Sequence, residues 1–487
     1  MASLLSIPLE MLVEVSASLT TTDLGALRLT CKQIEKSLFE WFSKEFFTKK
    51  QFMLTHKSLQ AFVDISRHMS FSKKLTHVII ATNVYRDTNT NFKDVDAAAS
   101  YTQGCEDQKA LLNTGIDREM LTAAFQNLEN LHTVGIRDFN SNGRSRDGIN
   151  WSSWGATTVL RETGVELKFA GVSPYDPQVA QAHLARVFQS LIYALGRANQ
   201  TPEEIELLLR RHSLPDHALN LPNFLLPAVK PLLHNLKKLL LNADALYVHK
   251  YNQVGGSLLE QGPGRALLRF LTQTPNLEHF RLNLVKDQVE ANEQLLQRLS
   301  IPASTTGSPA MANFFEPPPI KLEYLTSLEL GQVLVKSKIV LDLIAKFAPT
   351  LCHLVLWKIT LRDAQPTAHD PKPNLWARFF RNMNRIPRLQ LHHLKAGMLG
   401  QGLEFVQFKS SSSKDAPEDK VREYTGAKMD LFVKGLTEDV FVLWPAVVLP
   451  NSSDSSDEDE EMADDDEDDN DEANGDENDE DESGYED

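Results

Sequence analysis

Cysteine is almost absent. Cys31, Cys105 and Cys352 are the only three in 487 residues, too few and too scattered for a disulfide framework. No Cys/His spacing suits zinc. Long hydrophobic runs are missing as well. No stretch approaches the ~18 apolar residues of a membrane span, and the longest candidate, Val440 to Leu449, is interrupted by Pro445. The opening residues carry no basic cluster and Glu10 breaks their apolar run, so no secretory signal is expected. The expectation is a cytoplasmic or nuclear protein without a membrane partner.

Catalytic signatures are lacking too. There is no phosphate-binding loop ending in Gly-Lys-Ser/Thr, no Gly-x-Ser-x-Gly elbow and no His-Glu-x-x-His pair. Gly262-Pro263-Gly264 and Gly400-Gln401-Gly402 stand alone and do not extend into a dinucleotide fingerprint. His392-His393 reads as a pair of partly exposed strand histidines. Cys31 lies on an apolar helical stripe, where a thiol is inert. No catalytic residue, cofactor or metal is assigned, and the chain is not expected to be an enzyme.

Basic residues vanish at the C-terminal end. Residues 451–487 hold 22 of the 66 acidic residues and none of the 50 basic ones, so residues 1–450 carry +6 although the whole chain carries −16. So many carboxylates with so little apolar content cannot bury enough surface to order the segment, and a disordered acidic tail is expected. Ser455, Ser456 and Ser483 each have an acidic residue three places on, Glu458, Asp459 and Glu486. They are candidates for phosphorylation by an acidophilic kinase, each phosphate adding about −1.5 to −2 charge. One functional class arises from the tail alone: a nuclear scaffold or histone-chaperone-like protein that holds a basic partner electrostatically. Nucleic acid is not an expected partner.

Residues 6–40 read as a compact helical unit. Pro8 suits a helix start. Leu9, Leu12, Val13 and Leu19 form an apolar stripe. Thr20 to Thr22 offer caps, Asp23 favours the positive end of the next helix, and Leu24, Leu27 and Cys31 recur at helical spacing. Residues 46–70 are expected to be a helical connector, joined to the unit by Trp41, Phe42, Phe46, Phe47 and Phe52 as core aromatics.

From residue 71 a pattern of apolar-x-x-apolar-x-apolar recurs. It appears at Leu75/Val78/Ile80, Leu131/Val134/Ile136, Leu236/Leu239/Leu241, Leu277/Phe280/Leu282, Leu325/Leu328/Leu330, Leu351/Leu354/Leu356 and Ile386/Leu389/Leu391, with Ile205/Leu208 as a partial copy. The last two apolar positions of each copy are two apart, as on one face of a strand. Amphipathic helices precede several copies, at Leu225 to Leu233, Leu267 to Leu271, Val340 to Phe347 and Phe379 to Met383. A Pro-containing turn joins helix to strand in Thr274-Pro275-Asn276, Ala348-Pro349-Thr350 and Ile386-Pro387. Successive copies start 56, 105, 41, 48, 26 and 35 residues apart, against the ~20–29 residues of a regular leucine-rich repeat. The expected fold class is α/β: over residues 71–450, an irregular leucine-rich-repeat-like α/β solenoid. An unrelated α/β fold is the alternative. Residues 84–118, 138–180, 301–319 and 409–420 read as polar insertions.

The N-terminal motif carries a resemblance. Ile7-Pro8-Leu9-Glu10, Val15, Leu19, Asp23-Leu24, Leu27 and Cys31-Lys32 resemble the F-box without a gap. Together with the repeats, the chain looks like the F-box/leucine-rich-repeat proteins abundant in filamentous fungi. The resemblance implies that residues 1–45 dock on the Skp adaptor, and through it on a cullin, of a ubiquitin ligase. The repeat region would then present an unidentified protein substrate. Carried onto this sequence, the adaptor-binding positions are Pro8, Leu12, Val15, Leu19, Leu24, Leu27 and Cys31. Polar residues between the repeat leucines, such as His279, Arg281, His353 and Lys358, are expected to meet the substrate.

Overall fold

The computed structural model describes residues 7–86, 92–140, 152–170, 177–246, 262–302, 317–362, 372–409 and 420–444, with short strands at 253–254 and 257–258. Three helices open the chain: α1 (Leu9–Ala17), α2 (Thr21–Thr30) and α3 (Lys32–Phe47). Pro8 precedes the first. The Thr20 hydroxyl caps the second, accepting from the Asp23 backbone N–H at 3.1 Å, and this satisfies one of the orphan donors at a helix start.

Strands and helices then alternate. Strand β1 (Lys49–Met53) is followed by α4 (His56–Arg67), α5 (Phe71–Lys74) and β2 (His77–Ala81). Next come α6 (Val95–Thr114), α7 (Ile116–Phe125), β3 (Thr133–Arg137), α8 (Ala156–Thr163), α9 (Pro177–Arg197) and β4 (Glu204–Leu208). The two-residue strand β5 (Leu214–Pro215) and α10 (Leu226–Asn235) lead to β6 (Lys238–Asp244). A small hairpin, β7 (Gln253–Val254) with β8 (Ser257–Leu258), precedes α11 (Arg265–Leu271), β9 (His279–Leu284), α12 (Val289–Ser300) and β10 (Ser327–Lys336). The series closes with α13 (Ser337–Phe347), β11 (His353–Arg362), α14 (Leu375–Met383) and β12 (His393–Gly397). After these come β13 (Gly400–Gln401), β14 (Glu404–Phe408), β15 (Val421–Thr425), α15 (Met429–Asp439) and β16 (Val440–Val442).

The result is a mixed α/β molecule around one large, open, mostly parallel sheet. From β1 through β2, β3, β4, β6, β9, β10 and β11 each strand pairs in parallel with its predecessor. Beyond β11 the sheet forks to β12 and β13, and antiparallel pairs with β15, β14 and β16 finish it. Helical crossovers of this kind are what parallel neighbours require.

Register explains the repeat. Pairing aligns Val78, Val134, Ile205, Leu239, Phe280, Leu328, Leu354 and Leu394 in one row, and Ile80, Ile136, Leu207, Leu241, Leu282, Leu330, Leu356 and Ala396 in the next. All sixteen are buried and belong to one core that runs from Leu12 to Val442. Side chains alternate across a strand, so the intervening residues form the opposite face of the sheet.

Five expectations are corrected here. Residues 46–70 are not helix alone, because β1 lies within them; its place in the first row is taken by Lys50, which hides the motif. That ammonium lies 5.1 Å from the Phe47 ring centre and 4.9 Å from that of Trp154. The seventh copy is out of frame: Ile386/Leu389/Leu391 precede the strand, and Leu391, Leu394 and Ala396 occupy the repeat positions. The partial copy is likewise Ile205/Leu207, not Ile205/Leu208. Residues 84–118 are not simply a polar insertion, since α6 buries Ala97, Tyr101, Cys105, Gln108 and Leu111 along one face. Within 138–180, α8 and the start of α9 are also helical.

Candidate functional site

Two surfaces are candidates. The first is the outside of the N-terminal helices. Leu12 and Leu24 are fully committed to the core. Leu19, Leu27 and Cys31 are half-buried against it. Pro8 is exposed, and Val15 is 49% exposed. Helical spacing places Pro8, Met11 and Val15 along one outward face, and Met11 is 52% exposed. Leu29 on α2 is 88% exposed. The motif positions therefore divide into packing residues and presented ones. Met11 and Leu29 are presented apolar residues that the motif did not single out, and Leu9, part of the motif but not among its adaptor-binding positions, is presented as well.

Stacked aromatics join these helices firmly to the start of the sheet region. Phe47 stacks on Phe71 with ring centres 3.9 Å apart and planes 3° from parallel, and Phe42 stacks on Phe46 at 4.7 Å. Phe42, Phe46 and Phe47 are among the aromatics expected to fill the junction. The Arg28 guanidinium lies 3.4 Å from the centre of the Phe42 ring and 3.5 Å from Glu35. Burial beside the ring pulls its pKa down, against the pull of Glu35.

The second candidate is the sheet face opposite the core, with the groove at its edge. The face is largely self-paired. Glu329 accepts from His279 Nε2 and Arg281 Nε at 2.5 Å each. Burial alone would raise its carboxyl, but the two donors and their charges hold it at about 2. His279 and Arg281, expected to meet a substrate, are thereby occupied within the protein. His353 is half-buried, and burial followed by the neighbouring His393 and His392 lowers its pKa. At the far end of the sheet Glu206 lies 3.5 Å from both Arg137 and His77, and burial pushes the His77 imidazole well below its usual range.

Lys358 is placed differently. It lines a cleft of about 920 Å³ that crosses the C-terminal ends of β4, β6 and β9, the middle of β10 and β11, and the β12–β13 junction, toward the side of an open parallel sheet where ligands gather. Three non-glycine residues there adopt left-handed backbone: Gln332 at φ 54, Lys358 at φ 52 and Met398 at φ 51. They fall at the same level of adjacent strands. Gly331 pairs with Trp357 and Val333 with Ile359, while Trp357 pairs with Gly397 and Thr360 with Gly400. Each left-handed residue costs about 1–2 kcal/mol, and aligned strain at a cleft is a mark of a working surface. No single stretch of sequence carried this signal, since the lining comes from residues 181 to 443.

Cys31 is half-buried and Cys105 buried, both as thiols. His393 Nδ1 is 2.8 Å from the Thr425 hydroxyl. Among the described residues no cluster of three His, Cys, Asp or Glu could hold a metal, and no helix is long and apolar enough to cross a membrane. Ser455, Ser456 and Ser483 lie outside the described residues. Neither a known family model nor a curated protein matches the chain.

Proposed function

We propose that this chain is the substrate receptor of a Skp–cullin–F-box ubiquitin ligase. In this reading the first 45 residues dock on the adaptor, and an irregular leucine-rich-repeat-like solenoid presents the target. The observation that carries it is the division of the N-terminal motif. Leu12 and Leu24 hold the helices to the body, while Leu9, Met11, Val15 and Leu29 are left 49–88% exposed. Exposed apolar residues grouped on one small helical unit mark an interaction site, and the gap-free motif supplies the partner's identity. The chain-ordered parallel strands with helical crossovers support the solenoid.

Co-purification of the adaptor and cullin tests the docking. Changing Met11, Val15 and Leu29 together to Glu leaves the core intact and is expected to abolish capture of both, with an unchanged circular dichroism spectrum. A folded triple variant that still captures the adaptor sinks the reading. Capture that survives this triple change but is lost on deleting residues 451–487 would instead favour the tail-driven scaffold.

A further inference from the structure

The cleft across the sheet combines two chemistries. Arg211 and Lys286 at its rim are exposed and Lys358 is half-exposed. Among the described residues, neither the Lys286 nor the Lys358 ammonium has a carboxylate partner. Two acidic residues line the cleft: Asp244 is buried and already accepts from the Gln181 amide at 2.8 Å and the Leu246 N–H at 2.9 Å, and Glu404 is half-buried on the β13–β14 hairpin, away from the three cations in strand order. At the other end, the β13–β14 hairpin holds out Leu403, 98% exposed, and Phe405, 73% exposed, above buried Leu399. Unpaired cations beside presented apolar groups call for a ligand that is anionic and carries an apolar anchor.

Dimensions choose among such ligands. The cleft spans five strand-to-strand steps, from β4 to the β12–β13 junction, or about 24 Å at ~4.8 Å per step. That exceeds a small metabolite and matches about seven residues of extended chain at ~3.3 Å each. Three cations sit on alternate strands along it. Arg211 follows β4, Lys286 follows β9 two strands on, and Lys358 lies in β11 two strands further. The strands that carry them are two steps apart, or about 10 Å, which equals three residues of extended peptide.

We propose that this cleft binds an extended acidic segment of a partner protein, with an acidic or phosphorylated residue at every third position and an apolar residue at one end against Leu403 and Phe405. The segment lies across the strands, and the left-handed backbone at Gln332, Lys358 and Met398 forms the bed on which it rests. If the chain is a ligase receptor, this segment is the recognition element of its substrate; the binding itself does not depend on that reading.

The test is fluorescence anisotropy on the full chain, with a labelled ten-residue peptide that carries Glu at every third position and a terminal Leu. A control peptide has the same composition with its Glu residues contiguous. The spaced peptide is expected to bind more tightly, and its affinity to fall with salt. Lys286→Gln and Lys358→Gln should each weaken it about threefold, the range of an exposed charge pair. Phe405→Ala should weaken it about tenfold, as an aromatic anchor does. All three positions retain solvent exposure, and unchanged thermal unfolding reports that the fold survives. Equal binding of both peptides, or insensitivity to all three substitutions, overturns the proposal. So does tighter binding of a single-stranded oligonucleotide through the same residues, which would make the cleft a general polyanion site. A gain in affinity on deleting residues 451–487 would give the cleft to the chain's own acidic segment and overturn the partner assignment. Adaptor capture is read separately, so failure here leaves the docking proposal standing.

Discussion

Glu329 accepts two side-chain hydrogen bonds on the open face of the sheet. Its side chain is 13% exposed and is held by His279 and Arg281. Burial alone would raise its pKa, yet the two donors bring it down from 4.5 to about 2. Folding therefore strengthens the acid, and the folded chain gains stability wherever the carboxylate is charged. That gain is complete above about pH 4.5, and is lost as pH falls through about 2. Its full size is about 3 kcal/mol at ~1.4 kcal/mol per pKa unit. Glu329→Gln should lower stability by about that amount at pH 7, because Arg281 and His279 also lose their anion. At pH 3 the difference should shrink to about half, and near pH 2 the two proteins should converge. Urea unfolding of both chains at pH 7, 5, 3 and 2 measures this. A gap below about 1 kcal/mol at pH 7, or one as large at pH 3 as at pH 7, refutes the assignment of the charge network as stabilising.

Two further outcomes separate packing from presentation and strain from comfort. Leu24→Ala is expected to cost about 2–5 kcal/mol by leaving a core cavity, whereas Leu29→Ala should change the stability by less than about 0.5 kcal/mol; thermal unfolding of the pair checks this. Gln332→Gly removes a left-handed side chain at a cost of about 1–2 kcal/mol and adds glycine's chain entropy of about 0.5–1 kcal/mol. It should leave stability unchanged or raise it by up to about 1.5 kcal/mol, and a clear loss in calorimetry would show that φ 54 is not strained there.

The parallel sheet was legible where strands bury two aliphatic rows. Six copies of the pattern fall in register because Leu, Ile, Val and Phe at those positions have one place to go. The signal failed where another residue type does the same work. Lys50 replaces the aliphatic residue of β1, and Ala396 is too small to mark β12, so the nearby Ile386 and Leu389 captured the pattern instead. Helix α6 escaped because its buried face is mostly Ala97, Tyr101, Cys105 and Gln108, with leucine only at Leu111. At the N-terminus the motif named seven positions, but a helix needs its neighbours in place before Leu12 and Val15 can be sorted into inside and outside. The cleft was least legible, because Arg211, Lys286, Lys358 and Phe405 are brought together only by strand order. Of these, only Lys358 stands out in the sequence, as a polar residue near a repeat leucine.

That strand order has an evolutionary corollary. Neighbours in space along the main run of the sheet are neighbours in the chain, so each cation of the cleft arrives on its own strand–helix step. A change confined to one step can replace one reading position while the pairing of the other strands keeps its frame. Binding preference in such an architecture can diverge one step at a time, and a long crossover can grow without shifting where the next cation lands.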